Sequence, residues 1–215
     1  MALRVREIFY SIQGESSFAG RPCAFVRLSG CNLRCTWCDT TYAYSGGERL
    51  DLSTVEDRIR AFGCGLVEVT GGEPLLQDET PLLVKRLLDG GYRVLVETNG
   101  TQDIRCLDSR CIRVVDVKCP SSGEEKNNLV SNIGYLENND EVKFVLADRG
   151  DYEYARAILR GRKELADRLQ PPLLSPVHGL LDPAELARWI LADGLDVRMQ
   201  IQLHKVLWGA EKRGV

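Results

Sequence analysis

Short apolar runs bounded by glycine, proline or polar residues alternate along the chain with stretches whose apolar residues recur at helical spacing. The runs predict strands at 4–9, 22–29, 66–70, 92–98, 111–117, 141–146, 172–175 and 197–202. Helices are expected at 52–62 (Ser53 or Thr54 as cap), at 80–88, at 151–169 and at 183–192. Pro81 suits the first turn of the second of these, and Gly90-Gly91 stops it. Gly14 and Gly20 punctuate a loop at 10–20, and the polar stretch 120–140 reads as a flexible loop or insert. Strand followed by helix, repeated, is the pattern of a parallel sheet with crossover helices. Six or seven such strands are too few to close an eight-fold barrel. The expected fold is therefore α/β, a partial and open TIM-like (β/α)6 barrel of mostly parallel strands, forming one domain over 1–215.

Composition narrows the setting without changing that picture. The 215 residues are 44% hydrophobic and 27% charged, ordinary for a globular protein. A net charge of −3 argues against a nucleic-acid partner. No apolar run approaches the roughly 20 residues of a membrane span, and residues 1–7 lack the apolar segment of a secretory leader. Eight cysteines without such a leader point to a reducing cytoplasm, with thiols used for metal instead of disulfides.

The residues that carry chemistry fall after the strands, where parallel α/β folds gather their ligands. Foremost is Cys31-Asn32-Leu33-Arg34-Cys35-Thr36-Trp37-Cys38, three cysteines spaced Cys-x3-Cys-x2-Cys. One loop of this kind can curl round an inorganic centre and aim three sulfurs at it. Thiols so close in sequence pair poorly as disulfides. Zinc would need a fourth ligand, for which Asp39, Cys23 and Cys64 are candidates. A four-iron cluster held by three cysteines leaves one iron open to an outside ligand. Cys106 and Cys111 read as inert buried thiols. Arg27 stands among apolar neighbours in its strand and must find an anion, either a structural acid or a ligand.

The cysteine spacing resembles that of the radical S-adenosylmethionine (SAM) superfamily, and Val69-Thr70-Gly71-Gly72-Glu73-Pro74 resembles its glycine-rich segment. The resemblance implies that Cys31, Cys35 and Cys38 hold a [4Fe–4S] cluster. Its open iron would chelate SAM, whose reductive cleavage yields a 5′-deoxyadenosyl radical. A narrower resemblance, to the 7-carboxy-7-deazaguanine synthase family, rests on several stretches. These are 8–15, 25–33, Trp37-Cys38-Asp39-Thr40, Glu97-Thr98-Asn99-Gly100-Thr101 and 116–123. It implies ring contraction of 6-carboxy-5,6,7,8-tetrahydropterin with loss of ammonia, on the route to queuosine. It also implies Mg2+, an external electron donor of flavodoxin or ferredoxin type, and a homodimer.

Carried over by motif, Ile12, Gln13, Gly14, Arg27, Thr70 and His204 would meet the pterin, with Arg27 on its carboxylate. Thr40 would offer a hydroxyl to Mg2+. Trp37, Cys38 and Asp39 would supply backbone contacts to SAM, and Gly72 would meet its amino-acid end. Asp116, Val117 and Lys118, with Ser175, Pro176, Val177 and His178, would meet its nucleoside. In some members the C-terminal residue closes the pocket, whereas here 210–215 run on beyond Trp208-Gly209. Two other functions share parts of this pattern. A glycyl-radical activase has the cysteine spacing and small size, and a zinc-stabilised binding module would use the thiols for structure alone.

Overall fold

A computed structural model describes residues 1–161 and 170–215. Its frame is one nine-stranded sheet. The strands are β1 (Ala2–Ile12), β2 (Pro22–Leu28), β3 (Glu48–Asp51), β4 (Leu66–Gly71), β5 (Arg93–Thr98), β6 (Ile112–Asp116), β7 (Glu141–Leu146), β8 (Leu173–Pro176) and β9 (Arg198–Met199). They lie in the order β3-β1-β2-β4-β5-β6-β7-β8-β9. From β2 to β9 every neighbouring pair is parallel, while β1 runs antiparallel to both β2 and β3. Among the described residues nothing pairs β9 back to β3, so the sheet is the expected open, partial barrel.

Helices α1 (Leu52–Ala61), α2 (Thr80–Asp89), α3 (Arg149–Gly161) and α4 (Pro183–Asp193) match the expected positions closely, and a short α5 (Leu203–Trp208) was not expected. The last part of the helix expected at 151–169 lies outside the described residues. Asp51, not Ser53 or Thr54, precedes the first helical residue of α1, without a side-chain cap. Pro183 opens α4 behind Asp182, whose carboxylate accepts from the Ala184 N–H.

Alternation along the strands sorts the side chains into two environments. On the helix-facing side Val26, Val67, Val69, Val94 and Val96 pack on Val55, Ile59, Leu83 and Leu87. Val142, Phe144 and Leu174 likewise pack on Tyr152, Ala155, Leu186 and Ile190. Each fully buried aliphatic side chain of these layers contributes about 1.5–3 kcal/mol relative to exposure. The other side begins as an apolar floor of Cys23, Phe25, Leu66, Leu95, Ile112 and Val114. Above that floor, towards the C-terminal ends, the same strands carry Arg27, Thr70, Glu97 and Asp116, and neighbouring β7 adds Lys143 beside Asp116.

Three differences from expectation have local causes. β3 has one buried residue, Leu50, and is a strand only because it pairs with Ala2–Val5 of β1. The expected strand at 197–202 shrinks to two paired residues before the chain turns into α5. The stretch 120–140 is ordered by its contacts. Asn132 donates to the carbonyls of Gly100 and Gln102 (3.0 and 2.7 Å), and Ile133 and Leu136 enter the core.

Candidate active site

The cysteine loop leaves the C-terminal end of β2 and forms part of the wall of a cavity of about 550 Å3. Cys31, Cys35 and Cys38 all line it as free, partly exposed thiols. The loop is fastened from outside: Thr36 N–H donates to the Ser122 carbonyl (3.1 Å), and Trp37 Nε1 donates to Ser121 Oγ (3.0 Å). The Leu33 N–H points at Cys31 Sγ (3.4 Å), and Asn99 Nδ2 lies 3.8 Å from it. These donors suit a sulfur carrying negative charge. Burial pushes the Cys31 thiol up and that of Cys35 to about 11, so both stay protonated until a metal centre displaces the protons. Among the described residues no three His, Cys, Asp or Glu side chains converge on one point. Three thiolates serving three different irons have no need to. Cys23 is fully buried in the floor, and Cys64 sits before β4, next to the Pro22 carbonyl at the far end of β2. A strand length therefore separates both from the loop. Asp39 is held by Lys205 (2.7 Å), which keeps its carboxyl well below the usual range against the opposing effect of burial. Cys111 is buried as expected, whereas Cys106 is exposed.

The turn after β4 presses against this loop. A Cβ on Gly72 would stand 2.3 Å from the Gly30 carbonyl oxygen and 2.7 Å from Cys31 Cβ. Only glycine allows that approach. Glu73, fully buried, accepts from the Leu75 and Asn99 N–H groups and from Thr98 Oγ1, tying β5's exit to the same turn. Gly72→Ala is accordingly expected to displace the cysteine loop, lowering bound iron per chain and costing about 1–3 kcal/mol in chemical denaturation. Full iron content in that variant would show that the loop gives way without consequence.

Charged side chains occupy the interior of the cavity. Arg27 Nε donates to Glu7 Oε1 (2.8 Å), the structural acid considered for it, while no described residue takes a hydrogen bond from its two Nη groups. Lys143 lies between Glu15 (2.9 Å) and Glu97. Burial opposes charge on Lys143, yet its two acids hold its pKa well above normal. Burial raises Glu97, whereas for Glu15 the ammonium of Lys143 and the Gln202 amide outweigh burial and lower it. Lys118 Nζ meets Asp116 Oδ2 at 2.5 Å, and the buried Asp116 Oδ1 has no partner among the described residues. Thr40 lines the cavity and donates to Asp39 Oδ1 (2.9 Å), making no cap bond to the helical turn that follows.

α5 closes one side. The Leu203 N–H donates to the Gly14 carbonyl (3.0 Å), and His204 packs so closely that a Cβ on Gly14 would stand 2.2 Å from its Nδ1. Burial lowers the His204 pKa from 6.5, so the ring is neutral at pH 7. Residues 210–215 fold back to line the cavity, with the Arg213 guanidinium 4.3 Å from the Tyr42 ring centre.

Most of the expected site residues thus share one cavity: Ile12 at the end of β1 with Gln13 and Gly14 after it, Thr70 on β4 and Gly72 in the turn that follows, and Val177 and His178 after β8. Three do not line it. Val117 points into the helix-side core, because alternation sends Asp116 and Lys118 the other way. Ser175 and Pro176 are buried inside β8, below the rim that Val177 and His178 reach. Glu15, Glu68, Glu97 and Lys143 were not singled out from the sequence. Their signal was a charge inside an apolar strand for the last three, the same signal that marked Arg27.

Comparison with known proteins agrees with this arrangement. The Radical SAM superfamily model matches residues 25–111. The 7-carboxy-7-deazaguanine synthase of Koribacter versatilis is 42% identical, with 99% of this chain and 100% of the relative covered. That of Chlorobaculum tepidum is 45% identical over 99% and 97%. The chain belongs to the 7-carboxy-7-deazaguanine synthase family. As a radical SAM enzyme of queuosine biosynthesis it uses a [4Fe–4S] cluster and SAM, which sets aside the zinc-module and activase alternatives. The crystal structure of QueE from Escherichia coli shares the fold, with a TM-score of 0.77 and 24% identity over 95% of each chain. The three thiols facing one cavity, with N–H groups aimed at Cys31, fit the cluster that this synthase family requires.

Proposed function

We propose that the chain is a carbon–nitrogen lyase that converts 6-carboxy-5,6,7,8-tetrahydropterin to 7-carboxy-7-deazaguanine with loss of ammonia. The observation that carries the reading is one cavity holding both the cysteine loop and an arginine with its fork unused. Cys31, Cys35 and Cys38 would hold the cluster. Once bound, cluster and SAM supply a 5′-deoxyadenosyl radical when an external donor of flavodoxin or ferredoxin type reduces them. The side chains then have a positioning task. Arg27, oriented by Glu7 through Nε, offers its Nη pair to the substrate carboxylate. Thr70, Ile12 and the neutral His204 border the bicycle. Gly72 admits the amino-acid end of SAM. Asp116, with its free oxygen, and Lys118 face the nucleoside beside Val177 and His178. Buried acids and the folded-back 210–215 segment limit water around the reacting atoms.

The Thr40 hydroxyl, free of any capping duty, is a hard oxygen suited to Mg2+. Thr40→Val is expected to reduce the stimulation of turnover by Mg2+ at least several-fold while leaving SAM binding intact. An unchanged magnesium titration would remove Thr40 from the metal. The whole reading is tested by an anaerobic incubation with SAM, dithionite, Mg2+ and carboxytetrahydropterin, followed by mass spectrometry. Product at the mass of the carboxydeazaguanine supports it, and recovery of unchanged pterin alongside cleaved SAM counts against it. The setting proposed is a cytoplasmic homodimer folded as one domain. Among the described residues no helix is long and apolar enough to cross a membrane.

A further inference from the structure

The floor of the cavity contains one residue out of keeping with its row. Parallel register places Phe25 beside Glu68 and Glu68 beside Leu95, and Leu95 in turn beside Ile112. Glu68 is therefore a carboxyl set in an otherwise apolar row, one residue pair below Arg27 and Thr70, or about 7 Å along the strand. It is 5% exposed, yet it lines the cavity. Glu15 and Glu97 are each occupied by Lys143, whereas Glu68 has no ion pair among the described residues. Among the described residues its single side-chain partner is Gln13, whose Nε2 donates to Oε2. The Gln13 Oε1 is in turn taken by the Glu15 N–H. The carboxyl is thus held in a fixed orientation, and no described residue bonds Oε1.

We propose that Glu68 is a specificity-determining residue for the substrate, donating from Oε1 to the ring carbonyl of the bound bicycle while Oε2 stays with Gln13. The inference rests on the pterin reading above and adds a contact at the opposite end of the ligand from the Arg27 fork. Protonation fits the role. Burial, reinforced by Glu97, raises Glu68 to about 8, so at neutral pH it is mainly a neutral acid. With Oε2 accepting from Gln13, the proton belongs on Oε1, where it makes a donor. A neutral acid also avoids placing one more negative charge in a cavity that must admit a carboxylate. Buried carboxyls kept neutral in this way are effective donors to a carbonyl oxygen.

The test measures binding of carboxytetrahydropterin and of its analogue lacking the 4-oxo group to cluster-loaded protein with SAM, by anaerobic calorimetry. Wild type is expected to prefer the oxo ligand by about 10–100-fold. Glu68→Leu, chosen to match the surrounding floor, should bring that preference to within about threefold of unity, leaving SAM affinity unchanged. Should the leucine variant not fold, Glu68→Met, which fills irregular space, is expected to give the same collapse. Glu68→Gln retains an N–H donor and should keep most of the preference. A purely structural role would weaken both ligands alike and preserve their ratio, and that result overturns the inference. Wild type binding neither ligand would overturn the pterin reading itself, and this inference with it.

Discussion

Cys35→Ala is expected to lose the cluster and with it all SAM cleavage above background. Each thiolate of a three-cysteine cluster serves one iron, and a second open iron leaves the centre prone to dissociation. No replacement is at hand. Among the described residues Cys31 and Cys38 are the only other cysteines lining the cavity, Cys23 and Cys119 being buried in the core. Reconstituted wild type should carry about four irons per chain. The variant should fall well below that, with 5′-deoxyadenosine production indistinguishable from a protein-free control. Cys106→Ala, an exposed site outside the cavity lining, should match wild type in both measurements. SAM cleavage retained in Cys35→Ala would remove that thiol from the centre.

Arg27→Ala is expected to weaken pterin binding by about 30-fold or more, the consequence of losing ~2 kcal/mol or more from a buried charge pair. SAM affinity should stay within about twofold, because the Arg27 strand position faces the far side of the cavity from Asp116 and Lys118. Glu7 would lose its ion pair as well, but Tyr42 Oη still donates to it (2.8 Å), which limits the structural damage. Arg27→Lys should recover only part of the affinity, since an ammonium cannot span two carboxylate oxygens while remaining on Glu7. Equal losses for pterin and SAM would make Arg27 a structural residue held for Glu7.

Features written in consecutive residues were legible before the structure. The cysteine spacing needs one loop and no knowledge of the fold, and strand–helix alternation led directly to the open parallel barrel. Arg27 was legible because a guanidinium between Val26 and Leu28 has few acceptable surroundings. The same reasoning applies to Glu68 between Val67 and Val69 and to Lys143 between Val142 and Phe144. Neither lies inside a motif that the family resemblance carries over, although Glu68 directly precedes one. Val117, Ser175 and Pro176 lie outside the cavity lining, Ser175 and Pro176 because they are buried within β8, and Val117 because of alternation. In the stretch 116–118 a contiguous motif cannot present every side chain to one cavity, since alternate residues point to opposite faces.

The sequence by itself thus determined the fold class, the three-cysteine motif and the family, because each depends on residues a few positions apart or on periodicity. Tertiary structure alone decided which acids share Lys143, that Glu7 takes one nitrogen of Arg27, and that His204 seats against Gly14. It also decided that Glu68 stands on an apolar floor without an ion pair among the described residues. Those facts depend on strand register and on contacts between segments as far apart as residues 14 and 204, where a shift of one residue would turn each side chain to the other face.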